Sequence, residues 1–475
     1  MNAQPTNARV MIEKLRRGLL PIVRVAGEDV RWTMDERLAH YECPGVGVAV
    51  LEDGKVSWSA GYGRIERGLD RPVEADTVFA GASISKPITA ALVMQQVERG
   101  VLDMDADVNG YLTAWKVPEN AFTRATPVTL RHLLSHKAGT TVHGFGRVPP
   151  GAASPSLLDV LSGRPPAVTP PVIVDKTPGG TVRYSGGGYM VVQLVLEEMT
   201  GKPFAALARE MIFDPLGMSR STFVDPLPPE LQPFAATGHD EEGAPLPEKW
   251  TSCPMAAAGG LYTSAGDFGA FMGACRDAYV GRPTPLMSQA TAKTMLTLTP
   301  PDDFALGWRV VGEGAEARIE HGGSCTGYQC ETTCYLESGK GAVVLTNAVS
   351  GLTFYWEVLN AIADLYDWPG FLPPPKVVQP ITPAVIAALA GRYAIVSGVD
   401  APFLDIWAED GGLKSHIGGM RGGPNVLMMD ERGRLFHRAG PYETAVTYGQ
   451  DGRAIELSVL EGGATEILHA RRAEG

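Results

Sequence analysis

Residues 44–62 (PGVGVAVLEDGKVSWSAGY) alternate in strand fashion on either side of Asp53-Gly54, a pattern that predicts two antiparallel strands joined by a tight hairpin turn. From residue 81 the period changes. In GASISKPITAALVMQQVERGV, Ala90, Leu92, Val93 and Val97 fall at helical spacing, and Pro87 sits in a first turn where a missing N–H does no harm. Ser83 is a good N-cap residue type, so the helix is expected to begin at or just before it. Helical spacing returns at 129–138 with Gly139 as its stop, at 188–200 with Gly201 as its stop, through 202–218 as helix and turn, in a helix starting near Ser264, and at 354–366. Between 307 and 347 the runs GWRVV, ARIEHGG, YQCETTCYL and GAVVLTNA read as an antiparallel meander.

Two stretches lack such periodicity. Residues 144–180 are rich in Pro and Gly apart from a brief helical patch at 156–161, and so long an irregular segment inside a compact domain reads as a loop over a substrate site. Residues 369–383 are dense in proline and read as a semi-rigid connector. Beyond it, eight short strand-like runs between 391 and 472 are punctuated by turn signals at Asp410-Gly411, Arg432-Gly433 and Asp451-Gly452; closure into a small antiparallel β-barrel would remove their exposed edges. The expected division is a domain at 1–368, a linker at 369–384 and a barrel at 385–475.

Composition narrows the function classes. At 475 residues with 44% hydrophobic side chains the chain can bury a large core. A net charge of -12 without any basic run argues against nucleic acid or an anionic membrane as partner. The apolar run at 18–23 is broken by Pro21 and too short for a signal core, and no segment approaches a membrane span, so a cytoplasmic protein is expected, or a periplasmic one if a signal has been removed. Cys43, Cys253, Cys275, Cys325, Cys330 and Cys334 follow no disulfide-scaffold or Cys-Xaa-Xaa-Cys spacing and read as reduced thiols, and the group 325, 330, 334 lacks a paired Cys/His set for a metal. His132 and His136 stand four apart in HLLSH, with no intervening glutamate and no third ligand, which favours packing and hydrogen bonding over zinc. No metal or cofactor is expected.

Ser83 and Lys86 form Ser-Xaa-Xaa-Lys, and residues three apart on a helix share a face, so an amine can lie within reach of a hydroxyl that needs a base to become nucleophilic. Alone the motif is weak, since roughly two matches arise by chance in a chain of this size. Two further elements follow it in order: Tyr184-Ser185-Gly186 and His321-Gly322-Gly323-Ser324. With the stretches TLRHLLSHKAG, YSGGGYMVVQLVLEEMTG, IFDPLGM, AAAGGLYTSAGDF and HGGSCTGYQ, they resemble the serine β-lactamase and penicillin-binding protein superfamily. The resemblance is closest to the class C β-lactamase-like branch, which includes D-aminopeptidases and β-lactamase-fold esterases, and it covers residues 45–368.

The resemblance implies an α+β fold, an antiparallel sheet flanked by helices with a mostly helical subdomain, and an active site between them. It implies Ser83 as the acylated nucleophile and Lys86 as the group that takes or steers its proton. Tyr184 would be the second base and later the acid to the leaving group, its phenol pKa lowered by the ammonium. His321 to Ser324 would stand where the family has its Lys-Thr-Gly strand, with the N–H groups of Ser324 and Ser83 as oxyanion hole. Gly322 and Gly323 leave a strand edge bare, as close approach of a substrate requires. Two departures matter. Gly186 replaces the family's usual Asn, which removes a polar contact and leaves volume for a bulkier or less polar acyl group, and His321 replaces Lys, which argues against an efficient β-lactamase. The C-terminal runs resemble the lipocalin-like barrels appended to D-aminopeptidases and peptide cyclases, where the extra domain borders the cleft.

A small-molecule or short-peptide substrate follows. Hydrolysis of carboxylic esters or amides ranks first, then D-stereospecific aminopeptidase, amidase or cyclase action, then weak β-lactamase activity, and last a silent binding protein. The oligomeric state is left open. No Gly-Xaa-Ser-Xaa-Gly elbow is present, which removes the α/β-hydrolase reading.

Overall fold

The computed structural model describes residues 6–146, 148, 152–250, 255–298, 304–419 and 423–473. The chain forms two compact units, one of residues 1–16, 34–355 and 365–370, the other of residues 17–33, 356–364 and 371–475.

The first unit is built on a six-stranded antiparallel sheet in the order Lys55–Gly63, Gly45–Glu52, Gly341–Thr346, Tyr328–Tyr335, Arg318–Cys325, Arg309–Val311. The hairpin expected at Asp53-Gly54 is there, with both residues at positive φ (49° and 73°), the combination that matches the twist of two adjoining strands. The 318–346 strands form the expected meander. Gly45–Glu52, Tyr328–Tyr335 and Gly341–Thr346 are buried along nearly their whole length because helices cover the sheet, Ala265–Tyr279 among them. That helix starts where expected, Ser264 capping it by accepting a hydrogen bond from the Asp267 N–H.

A helical layer packs beside this sheet. The Ser85–Glu98 helix is buried on every side from Ser85 to Gln96, not only along the stripe its spacing suggested, because Gly186–Thr200, Ala256–Gly259 and Gln289–Leu296 surround it. Of its buried Gln95 amide, Nε2 donates to the Leu286 carbonyl at 2.6 Å, while Oε1 has no hydrogen-bond partner among the described residues. A small sheet of Val78–Ala82 and Leu261–Ser264 joins the two layers and carries the chain into the site.

In the second unit all eight expected strand runs are strands, Gly391–Ser397 through Thr465–Arg472, each antiparallel to the next, and the last pairs with the first to close the barrel. Leu404, Ile406, Leu413, Leu457 and Leu468 fill it. Closure leaves no edge among these strands. The proline-dense stretch contributes to the same unit: Val378–Gln379 pairs with Met429 and Asp430, and the Pro383–Leu389 helix sends Leu389 into the barrel core. Among the described residues, no helix is long and apolar enough to cross a membrane.

Candidate active site

Ser83 stands just beyond the end of Val78–Ala82, after Ala82 has turned the backbone with a positive φ of 46°. The following helix begins at Ser85, with Ile84 in the N-cap position and no side-chain cap, which corrects the expectation that Ser83 caps it. Ser85 supplies the local ties instead, its Oγ donating to the Ala82 carbonyl at 2.6 Å and accepting from the Leu261 N–H at 3.0 Å. The Ser83 hydroxyl is thereby kept from a capping role. Lys86 Nζ donates to Ser83 Oγ at 3.0 Å and to the Ala258 carbonyl at 2.7 Å, from a side chain that is only 2% exposed.

Tyr184 stands beside this pair, and Lys86 Nζ lies over its ring at 4.8 Å from the centroid. Burial raises the phenol above its ordinary pKa, and the nearby Ser83 hydroxyl offsets this only in part. The expected lowering by the ammonium is therefore corrected: burial dominates, and the phenol stays protonated at rest.

His136 packs on Tyr184 with centroids 4.2 Å apart, its own backbone at φ +58°. Its Nδ1 accepts the Ser185 N–H at 3.1 Å, which assigns the ring proton of the neutral imidazole to Nε2. Ser185 in turn caps Gly186–Thr200 by accepting from the Gly188 N–H at 3.1 Å. Burial, with Lys86 and His321 adding to it, lowers the His136 pKa well below the usual range. His321, with its ring centroid 6.3 Å from that of Tyr184, turns Nδ1 to the Gly322 carbonyl at 2.6 Å, and burial next to Lys86 lowers its pKa to about 3. It is neutral, and so differs in charge as well as shape from the lysine of the family pattern. Nε2 of both histidines is buried without a hydrogen-bond partner among the described residues.

Ser83, Lys86, Gly186 and Ser324 line one cavity of about 120 Å³, together with His143 and Phe145. Ser324 is steadied by Gln329, whose Nε2 donates to its Oγ at 2.9 Å. His321, Gly322 and Gly323 lie outside this lining. Gly323 is required by packing: a Cβ there would collide with the Gly81 carbonyl oxygen. At Gly322 a Cβ would come within 2.7 Å of the Glu331 carboxyl, a group whose pKa burial raises to about 8. The bare edge thus serves contacts within the fold. The volume expected at Gly186 is likewise taken: a side chain there would meet the Phe145 ring at 2.8 Å and the His143 carbonyl at 3.1 Å, and the Gly186 N–H donates to that carbonyl at 2.9 Å.

Sequence reasoning missed Phe145, His143, Met255 and the Ala258 carbonyl, and it weighed His136 only as packing or a zinc ligand. Only His136 carried a signal, its place in the SHKAG stretch. Among the described residues no group of three or more His, Cys, Asp or Glu could hold a metal. Cys43, Cys275, Cys330 and Cys334 are buried free thiols and Cys325 is half-buried at the cavity wall, while Cys253 lies outside the described residues.

Comparison with known proteins agrees with this fold. The unguisins hydrolase ungD of Aspergillus violaceofuscus is 26% identical over 70% of this chain, and the match spans 65% of that protein. Esterase EstB of Burkholderia gladioli is 30% identical over 45% of this chain and 54% of its own. In fold, the octameric penicillin-binding protein homologue from Pyrococcus abyssi superposes with a TM-score of 0.63 at 21% identity, covering 92% of this chain and 98% of that one. The Beta-lactamase family model matches residues 30–364, well over half the chain. With the fold and the Ser83, Lys86 and Tyr184 arrangement in place, the chain belongs to the beta-lactamase family of serine hydrolases.

Proposed function

We propose that the protein hydrolyses carboxylic esters, and more slowly amides, through an acyl-enzyme on Ser83. The observation that carries this reading is the 3.0 Å contact of Lys86 Nζ with Ser83 Oγ at the wall of a cavity, with the Tyr184 ring 4.8 Å from the same nitrogen. Ser83 Oγ attacks the acyl carbonyl as Lys86, acting as the neutral amine, takes its proton, and the carbonyl oxygen gathers negative charge beside the N–H groups of Ser83 and Ser324. Tyr184, held as a phenol by burial, gives its proton to the leaving oxygen or nitrogen as the bond breaks. Water then attacks the acyl-enzyme, returns one proton to Tyr184, and releases the acid and free Ser83, with Lys86 returning its proton to Ser83. His136 holds the Tyr184 ring and the Ser185 N–H, and His321 fills the space behind as a neutral group.

Esters rank first because an apolar ring, Phe145, stands where an amide-binding Asn side chain would reach, and because of the similarity to an esterase. The test compares kcat/KM for short p-nitrophenyl esters, D- and L-amino-acid p-nitroanilides and nitrocefin, with Ser83→Ala as control. The reading expects the esters to lead and all turnover to vanish in Ser83→Ala. Anilides or nitrocefin leading would reassign the substrate class; turnover surviving in Ser83→Ala would refute the mechanism.

A further inference from the structure

We infer that Phe145 and Met255 form a partition that limits the substrate's acyl group to a short chain. The inference rests on the reading of Ser83 as nucleophile. The two residues line the 120 Å³ cavity of Ser83 and Lys86, and they also line a second cavity of about 30 Å³ whose other walls include Pro155, Val160, Ala167 and Val168. At about 30 Å³ per water-sized group, the first cavity holds about four non-hydrogen atoms, the size of an acetyl to butyryl group. A longer chain would meet the Phe145 ring, which is held in place on the other side by the backbone of Gly186. Behind that ring the walls are apolar, so removing it would join the two spaces into a channel suited to a hydrocarbon chain. The structure thus assigns a dormant acyl-chain subsite between Phe145 and the walls formed by Pro155, Val160, Ala167 and Val168.

The experiment measures kcat/KM of the full chain for p-nitrophenyl butyrate and octanoate in the wild type, Phe145→Ala, Phe145→Leu, Met255→Ala and Ser83→Ala. Each methylene newly buried is worth about fourfold. Phe145→Ala is expected to raise the octanoate-to-butyrate ratio tenfold or more, with Phe145→Leu between it and the wild type and Met255→Ala shifted the same way. A ratio that stays level or falls in Phe145→Ala, or a wild type that already favours octanoate, overturns the inference. Should Phe145→Ala fail to fold, Phe145→Leu and Met255→Ala decide by the same ratio. Turnover persisting in Ser83→Ala would instead strike the acyl-enzyme reading, whatever the ratio does.

Discussion

In the barrel unit, two buried carboxylates are answered by basic side chains that reach the surface. The Glu443 carboxylate accepts hydrogen bonds from Lys376, from Arg432 at 2.6 Å and from Arg434 at 2.6 Å, and Asp430 accepts from the Arg432 guanidinium at 2.8 Å and from two backbone N–H groups. Burial alone would raise the Glu443 pKa, and these bonds outweigh it and hold the group at about 2. In the hydrolase unit, by contrast, Lys86, His136 and His321 are as deeply buried, yet both histidines keep an unpartnered Nε2 among the described residues, and Ser83 beside them is partly accessible. A closed network spends its bonding capacity on shape. A buried cluster with capacity left over, opening on a hydroxyl, is suited to receive a reacting molecule.

The comparison is broken most sharply at Ser83 and Lys86. Either Ser83→Ala or Lys86→Ala should lower kcat/KM about a thousandfold or more, and the double variant should be no worse than either, because the two act as one unit. Steady-state kinetics on variants checked by circular dichroism decide this; additive losses would mean independent roles.

Next come the histidines. In the unfolded chain His321 titrates near 6.5 and in the fold at about 3, so the unfolded state binds more protons throughout that window. Stability should therefore fall as pH drops from 6.5 toward 3, by up to about 1.4 kcal/mol per unit, with His136 adding to the same trend. Urea midpoints at pH 7 and pH 5 should converge in His321→Gln relative to the wild type. The kcat/KM profile should show no limb near 6.5 that His321→Gln abolishes. At His136, Ala strands the Ser185 N–H and should cost about 1–3 kcal/mol, while Asn, which tolerates positive φ and offers an acceptor, should restore part of the melting temperature.

Much of the fold was legible because its cues are local. Asp53-Gly54 and the turn signals between 391 and 472 act within a few residues, and the hairpin and the closed barrel followed. The Ser-Xaa-Xaa-Lys spacing also survived, although for a different reason than expected: the helix starts at Ser85, whose hydroxyl is claimed by Leu261, a partner far along the chain. The filling of the Gly186 volume was not legible, since Phe145 arrives on a loop without periodicity. Nor was the protonated state of Tyr184, because burial, which decides it, is a property of the assembled fold.

On the barrel side the expected effects are smaller and confined to stability. Glu443→Gln should cost about 1–3 kcal/mol at pH 7, leaving Lys376 and two arginines less well paired, while kcat/KM of the folded protein stays within about twofold. Because the Glu443 pKa is depressed, the wild-type advantage is present above about pH 4.5 and disappears as pH falls toward 2. Arg392→Ala, which removes an exposed partner of Asp405, should change stability by at most about 1 kcal/mol. Thermal melts over pH 3–8 would separate the two.

The central claim is that Ser83 carries the acyl group, and trapping it there is the most direct measurement. The protein is incubated with a fluorophosphonate, digested, and mapped by mass spectrometry beside Ser83→Ala and Lys86→Ala. The predicted result is a single adduct on the peptide containing Ser83, absent in Ser83→Ala and formed far more slowly in Lys86→Ala. An adduct on another residue, or equal labelling in Ser83→Ala, would contradict it.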